Sequence, residues 1–118
     1  MNTEDLIEYE YPEFVDSRTK ELDSTTQNML HMAVGISGEA GELLDAIKKI
    51  WVYNKEPDWQ NIAEELGDLL FYIQGMANIL GYDFATLMEQ NMEKLKKRYP
   101  TGYSDAAAQA RADKKEGE

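Results

Sequence analysis

No cysteine occurs in this chain of 118 residues, and histidine occurs once. The first absence excludes a disulfide framework and a thiolate zinc site. The second leaves His31 as a lone helical histidine, more in keeping with a structural residue than a ligand, and disfavours hydrolysis through a histidine triad. No G-x-S-x-G elbow and no glycine-rich phosphate loop is present either. No apolar run is long enough to span a bilayer. The acidic stretch from Met1 to Glu10 lacks a basic-then-apolar leader pattern. These absences predict a cytoplasmic protein with no membrane partner. Cations are scarce: 12 Lys and Arg stand against 23 Asp and Glu, a formal net charge of -11. A nucleic-acid polymer is a poor partner for that balance, because phosphate contacts need clustered cations. A small phosphorylated substrate is not excluded, since a bound metal reverses the local charge.

What is present is helical. Sustained apolar–polar alternation and Asn-Gly or Asp-Gly turns are missing, so nothing reads as a strand. Pro12 suits the first position of a short helix from about 12 to 22. Ser24 followed by Gln27 matches a capping box, opening a long helix from about 25 to 51. Its apolar positions Leu30, Val34, Leu44, Ile47 and Trp51 recur at helical spacing. Asn54 to Pro57 breaks the pattern. Asp58 caps a third helix, about 59 to 80, with Ile62, Leu66, Leu69, Ile73 and Ala77 expected on its core face. Gly81 ends it. Asp83 caps a fourth, about 84 to 99, stopped by Pro100. The expected organisation is one all-α domain over residues 1–103. Residues 104–118 read as a polar, flexible tail or a helical extension that needs a partner.

Two acid pairs stand out: Glu39 with Glu42, and Glu65 with Asp68. Spacing of three puts each pair on one helix face. Both pairs are symmetric about Tyr53–Asn54. An antiparallel hairpin turning there brings Glu42 level with Glu65 and Glu39 level with Asp68. Like charges that close need a cation or protons to neutralise them. Oxygen-only donors point to a hard cation, Mg²⁺ or Mn²⁺. Gly35, Gly38 and Gly41 on one helix and Gly67 on the other are expected to let the acid-bearing segments approach. Glu64 reads either as a residue that orients a water or a ligand, or as an exposed helix residue. Tyr72, four residues after Asp68, reads either as a phosphate contact or as core packing. On the fourth helix Asn91, Lys94 and Arg98 share a face. Asn91 also falls in the apolar row of Phe84, Leu87, Met88 and Leu95. Two cations there suit a polyphosphate, with Arg as a forked donor and Lys as a point charge. Lys96 and Lys97 fit a helix C-terminus that complements the dipole. Lys48 and Lys49 carry the same two readings.

Three stretches together resemble the MazG-like, all-α nucleoside triphosphate pyrophosphohydrolases. They are Gly38–Asp45 (GEAGELLD) followed by Lys48 and Lys49, Glu64–Leu70 (EELGDLL), and Asn91–Gly102 (NMEKLKKRYPTG). The resemblance implies an antiparallel four-helix bundle that assembles as a homodimer or homotetramer. It implies cleavage of a (d)NTP between the α and β phosphates, giving a monophosphate and pyrophosphate. It implies Mg²⁺ on Glu39, Glu42, Glu65 and Asp68, with Glu39 or Glu64 handling the attacking water. Lys49, Tyr72, Asn91, Lys94 and Arg98 become expected substrate contacts. Tyr9, Tyr11, Phe14 and Asn28 are candidates for the base pocket. The short length resembles compact bacterial or phage-type members, hence a bacterial or phage-infected host cytoplasm. Two other readings stand beside this one. One is a pyrophosphohydrolase of another nucleotide such as phosphoribosyl-ATP; the other is a non-catalytic helical interaction module.

Overall fold

A computed structural model describes residues 2–114, and among them no β-strand forms beyond an isolated bridge between Pro100 and Gly102. The chain divides into two compact units, Met1–Tyr82 and Asp83–Glu118.

The first unit opens with α1, Thr3–Asp5, capped by the Asn2 side chain. A π-helical turn, Leu6–Glu10, joins it to α2, Tyr11–Ser17. The expected helix at 12–22 therefore begins earlier and stops sooner. Pro12 sits in the first turn of α2, where its missing N–H costs nothing. Helix α3 spans Thr25–Val52, and α4 spans Trp59–Leu80. Ser24 Oγ accepts from Gln27 N at 3.2 Å. Gln27 Oε1 accepts in return from Asp23 N at 3.0 Å, one residue ahead of the usual capping-box position. Asp58 accepts from Asn61 N at 3.0 Å and starts α4. Gly81, in the left-handed region at φ 73, closes it. Tyr82 N donates to Ala77 O at 3.1 Å there, a Schellman end. Asn54 takes the left-handed conformation at φ 51, which asparagine tolerates, and turns the hairpin at its midpoint.

The α3–α4 register follows that midpoint. A Cβ on Gly35 would run into the Tyr72 ring, and one on Gly75 into the Met32 sulfur. Both pairs are equidistant from Tyr53–Asn54, as Glu39 and Asp68 are. Close approach thus falls on Gly35 and Gly75. Gly38, Gly41 and Gly67 have open space where a Cβ would go, so they do not admit the neighbouring helix as expected. The buried core is small: Val15, Met32, Gln74, Gly75 and Ala77. Asn78 Nδ2 donates to Pro12 O at 3.0 Å, tying α2 to α4, while Asn78 Oδ1 accepts from Gln74 Nε2 at 2.9 Å.

The apolar row that recurs at helical spacing along α3 lies outside the core. Leu30, Val34, Leu44, Ile47 and Trp51 are all exposed, Trp51 at 85%. On α4, Leu66 and Ile73 are exposed while Ile62 and Leu69 are half-buried. A helix with one long partner covers one seam, and its remaining apolar surface stays open.

The second unit holds α5, Phe84–Arg98, and α6, Asp105–Ala110, followed by a 3₁₀ turn at Ala112–Lys114. Asp83 caps α5 by accepting from Thr86 N at 2.8 Å. Asn91 is exposed rather than set among the apolar residues of its helix. Ser104 caps α6. The expected tail thus includes a short helix in its first part. Met1 and residues 115–118, the end of that tail, lie outside the described residues.

Candidate active site

Glu39 on α3 and Glu65 on α4 are half-buried along the helix seam, and Asp68 is exposed at its edge. Each offers a carboxylate oxygen, and the three oxygens lie within 4.8 Å of one another. Burial pushes the Glu65 carboxyl above its ordinary range; the charges of Glu39, Asp68 and Glu42 add to the rise, as does a hydrogen bond with Glu39. Glu42 is exposed, acts on Glu65 through its charge, and is not one of the three that converge. A half-buried set of acids at such distances repels itself in the apo state. A hard divalent cation suits this all-oxygen donor set and relieves the repulsion.

The other expected residues are placed less uniformly. Glu64 is exposed and outside the converging trio. Lys49 pairs with Asp45 at 3.1 Å. That pairing raises the Lys49 pKa, with a smaller contribution from the Glu42 charge. Tyr72 is half-buried; its ring lies on Gly35 and meets Phe71 and His31 edge-on, at 5.3 and 6.4 Å between centroids. Lys94 and Asn91 are exposed on α5. Arg98 is engaged by Asp113. Asn28 Oδ1 accepts from Leu22 N at 2.8 Å and so shapes the loop before α3. Tyr9 is 62% exposed, and Phe14 stacks on Tyr11 and lies beneath the Arg18 guanidinium.

Two features were not legible from spacing. Partial burial raises the Tyr11 hydroxyl pKa, and the charge of Asp68 raises it further, which brings this phenol into the neighbourhood of the acids. The long-range bond from Asn78 to Pro12 helps carry Tyr11 to α4, and no local motif announces it. The other is a hollow of about 680 Å³ lined by Lys20, Leu22, Gln27, Leu30, His31 and Val34 among others. Glu21 and Asp23 also line it, whereas Glu39, Glu42, Glu65 and Asp68 do not. His31 Nδ1 is buried without a hydrogen-bond partner. His31, Gly35 and Glu39 follow one another at four-residue spacing on α3, so the hollow lies about 12 Å along the helix from Glu39 at the α-helical rise.

A sequence model of the MazG nucleotide pyrophosphohydrolase domain matches residues 27–103. The chain belongs to that family. The Gene 37 protein of Mycobacterium phage L5 is 31% identical over 81 residues, covering 64% of this chain and 70% of the relative. No solved structure matches it. The MazG match runs from the first turns of α3 past the end of α5 and contains all four expected acid ligands. The activity class that goes with it is nucleotide pyrophosphohydrolase. Tyr11 and Asp113 fall outside the matched residues.

Proposed function

We propose that this chain is a Mg²⁺-dependent pyrophosphohydrolase of (deoxy)nucleoside triphosphates, with Mn²⁺ as an alternative ion. The convergence of Glu39, Glu65 and Asp68 carries this reading. Glu39, Glu65 and Asp68 would hold the ion, and Glu42, exposed one turn from Glu39, would join them. The bound ion supplies charge neutralisation at the triphosphate and lowers the cost of deprotonating water. A water adds to the α-phosphorus, the bond from that phosphorus to the α–β bridging oxygen breaks, and pyrophosphate leaves. Glu39, or Glu64 beside the cluster, takes the proton of that water. Asn91, Lys94 and Arg98 meet phosphate oxygens, as does Lys49 once released from Asp45. Tyr72 lines the path between the acids and the hollow. The hollow at His31 lies at about a nucleotide's length from Glu39, 12 Å by helical rise, and takes the base.

The same reading includes assembly as a homodimer or a dimer of dimers through the exposed apolar faces of α3 and α4. The strong negative charge disfavours nucleic-acid polymers as partners. No helix among the described residues is long and apolar enough to cross a membrane, which fits the proposed cytoplasmic setting.

The test is a panel of all NTPs and dNTPs with Mg²⁺, assayed for monophosphate and pyrophosphate. Both products in equal amounts are expected from at least one substrate. Orthophosphate as the first product overturns cleavage between the α and β phosphates. Absence of turnover with Mg²⁺ binding intact points instead to a helical interaction module.

A further inference from the structure

The segment after α5 turns back and places a carboxylate on Arg98. Arg98 Nε donates to Asp113 Oδ1 at 2.7 Å, and Nη2 donates to Oδ2 at 3.0 Å. This paired, planar arrangement is the one with which a guanidinium holds a phosphate. The Asp113 side chain is 1% exposed and that of Arg98 19%, so the pair is largely dry. Its hydrogen bonds with Arg98 hold the Asp113 carboxyl below the usual range, and the charge of Lys94 adds to this. A carboxylate therefore stands where an anion would bind Arg98, within the field of Lys94.

The path to that position is strained and thinly packed. Arg111 sits in the left-handed region at φ 48, which a side chain rarely adopts. Such residues persist where contacts on either side hold them. Here Ser104 caps α6 on one side, and Asp113 grips Arg98 on the other. Neither α6 nor the 3₁₀ turn has a buried apolar residue. An ion pair rather than a core tethers the segment. Such a tether yields to any anion that offers Arg98 and Lys94 more charge than one carboxylate does.

We propose that residues 104–114 form an anion-released strap, in which Asp113 stands in for phosphate at Arg98 until a polyphosphate displaces it. The proposal rests on the reading of Arg98 as a phosphate contact. It adds a control absent from the matched domain, because the strap begins where the family match ends. The apparent affinity for polyphosphate is then reduced by the fraction of molecules with the strap in place.

Inorganic pyrophosphate is the probe, used with the full chain and without Mg²⁺ so that the acids of α3 and α4 take no part. Calorimetric titration of Asp113→Asn should show binding about five- to tenfold tighter than wild type, the loss of one desolvated competing pair. Arg98→Ala should lose most of that binding. A second measurement needs no variant. Tryptic cleavage after Arg111 and Lys114 in the wild type should accelerate on adding pyrophosphate, and not with chloride at matched ionic strength. Equal affinity for wild type and Asp113→Asn, with unchanged cleavage, overturns the strap alone. Undiminished binding by Arg98→Ala overturns both the strap and the phosphate role of Arg98. A protein that turns over no nucleotide, yet shows pyrophosphate-accelerated cleavage, retains the strap and loses the proposed reaction.

Discussion

Glu65 carries electrostatic tension, because it lies in the seam with Glu39, Asp68 and Glu42 all acting on it. A carboxyl whose folded pKa is raised binds more protons folded than unfolded. Its contribution to stability therefore falls as pH rises from the ordinary glutamate value of 4.5 toward the raised folded value, and stays unfavourable at neutral pH. Glu65→Gln removes that charge and keeps the shape. We expect the variant, free of metal, to melt at or above wild type at pH 7, with the gap closing as pH falls toward 4.5. With Mg²⁺ the wild type should gain more in melting temperature than the variant, and the variant should have no turnover. Paired melts across pH, with and without Mg²⁺, read all three. A metal-free variant that melts well below wild type at pH 7 would make Glu65 a structural hydrogen-bond partner and remove it from the metal site. The pairing of Glu39 with Asp68 was legible because the two acids stand equidistant from the turn at Tyr53–Asn54. The presence of Tyr11 near Asp68 was not, since it comes from the long-range packing of α2 on α4, which includes a bond between residues 12 and 78.

At the level of elements, the bounds of α3, α4 and α5 were readable because each start carries a side-chain cap: Ser24, Asp58 and Asp83. The N-terminal helices were less so. The π-helical turn at Leu6–Glu10 has no proline or glycine to mark it, and no local capping signal separates it from α2. The hairpin register was readable from the acids, and Gly35 against Tyr72 obeys it. The glycine pattern read less well, because spacing does not say which face of a helix meets the neighbour. That difference can be measured. Gly35→Ala drives a methyl into the Tyr72 ring, an overpacking that costs about 1–3 kcal/mol. Gly67→Ala adds a methyl to open space in a helix and should stabilise by about 0.5–1 kcal/mol. Urea denaturation of the two variants should move the midpoint in opposite directions. A stable Gly35→Ala protein would mean that Tyr72 moves freely, and its place between acids and hollow would lose support.

For the whole molecule, the question is what becomes of the apolar surface that the α3–α4 hairpin leaves open. Leu44, Ile47 and Trp51 on α3, with Leu66, Leu70 and Leu80 on α4, are each 40% or more exposed. Periodicity marked Leu66 and Ile73 as core-facing on α4, and that inference holds only if something covers them. A second copy is the proposed cover. Each copy brings a formal charge of -11, so association must overcome mutual repulsion over the screening length. That length falls from about 10 Å at 0.1 M salt to about 3 Å at 1 M. Assembly should therefore strengthen with salt, and light scattering should give a multiple of 13.5 kDa at micromolar concentration, more completely at the higher salt. Leu44→Glu puts a charge at a position 68% exposed in the single chain. Such a change costs an isolated subunit little, within about 0.5 kcal/mol. In an assembly it buries an unpaired carboxylate, so the variant should sediment as one chain while keeping its helical circular dichroism. A wild type that remains at 13.5 kDa across the salt range would sink the proposed assembly and leave the exposed rows without an occupant.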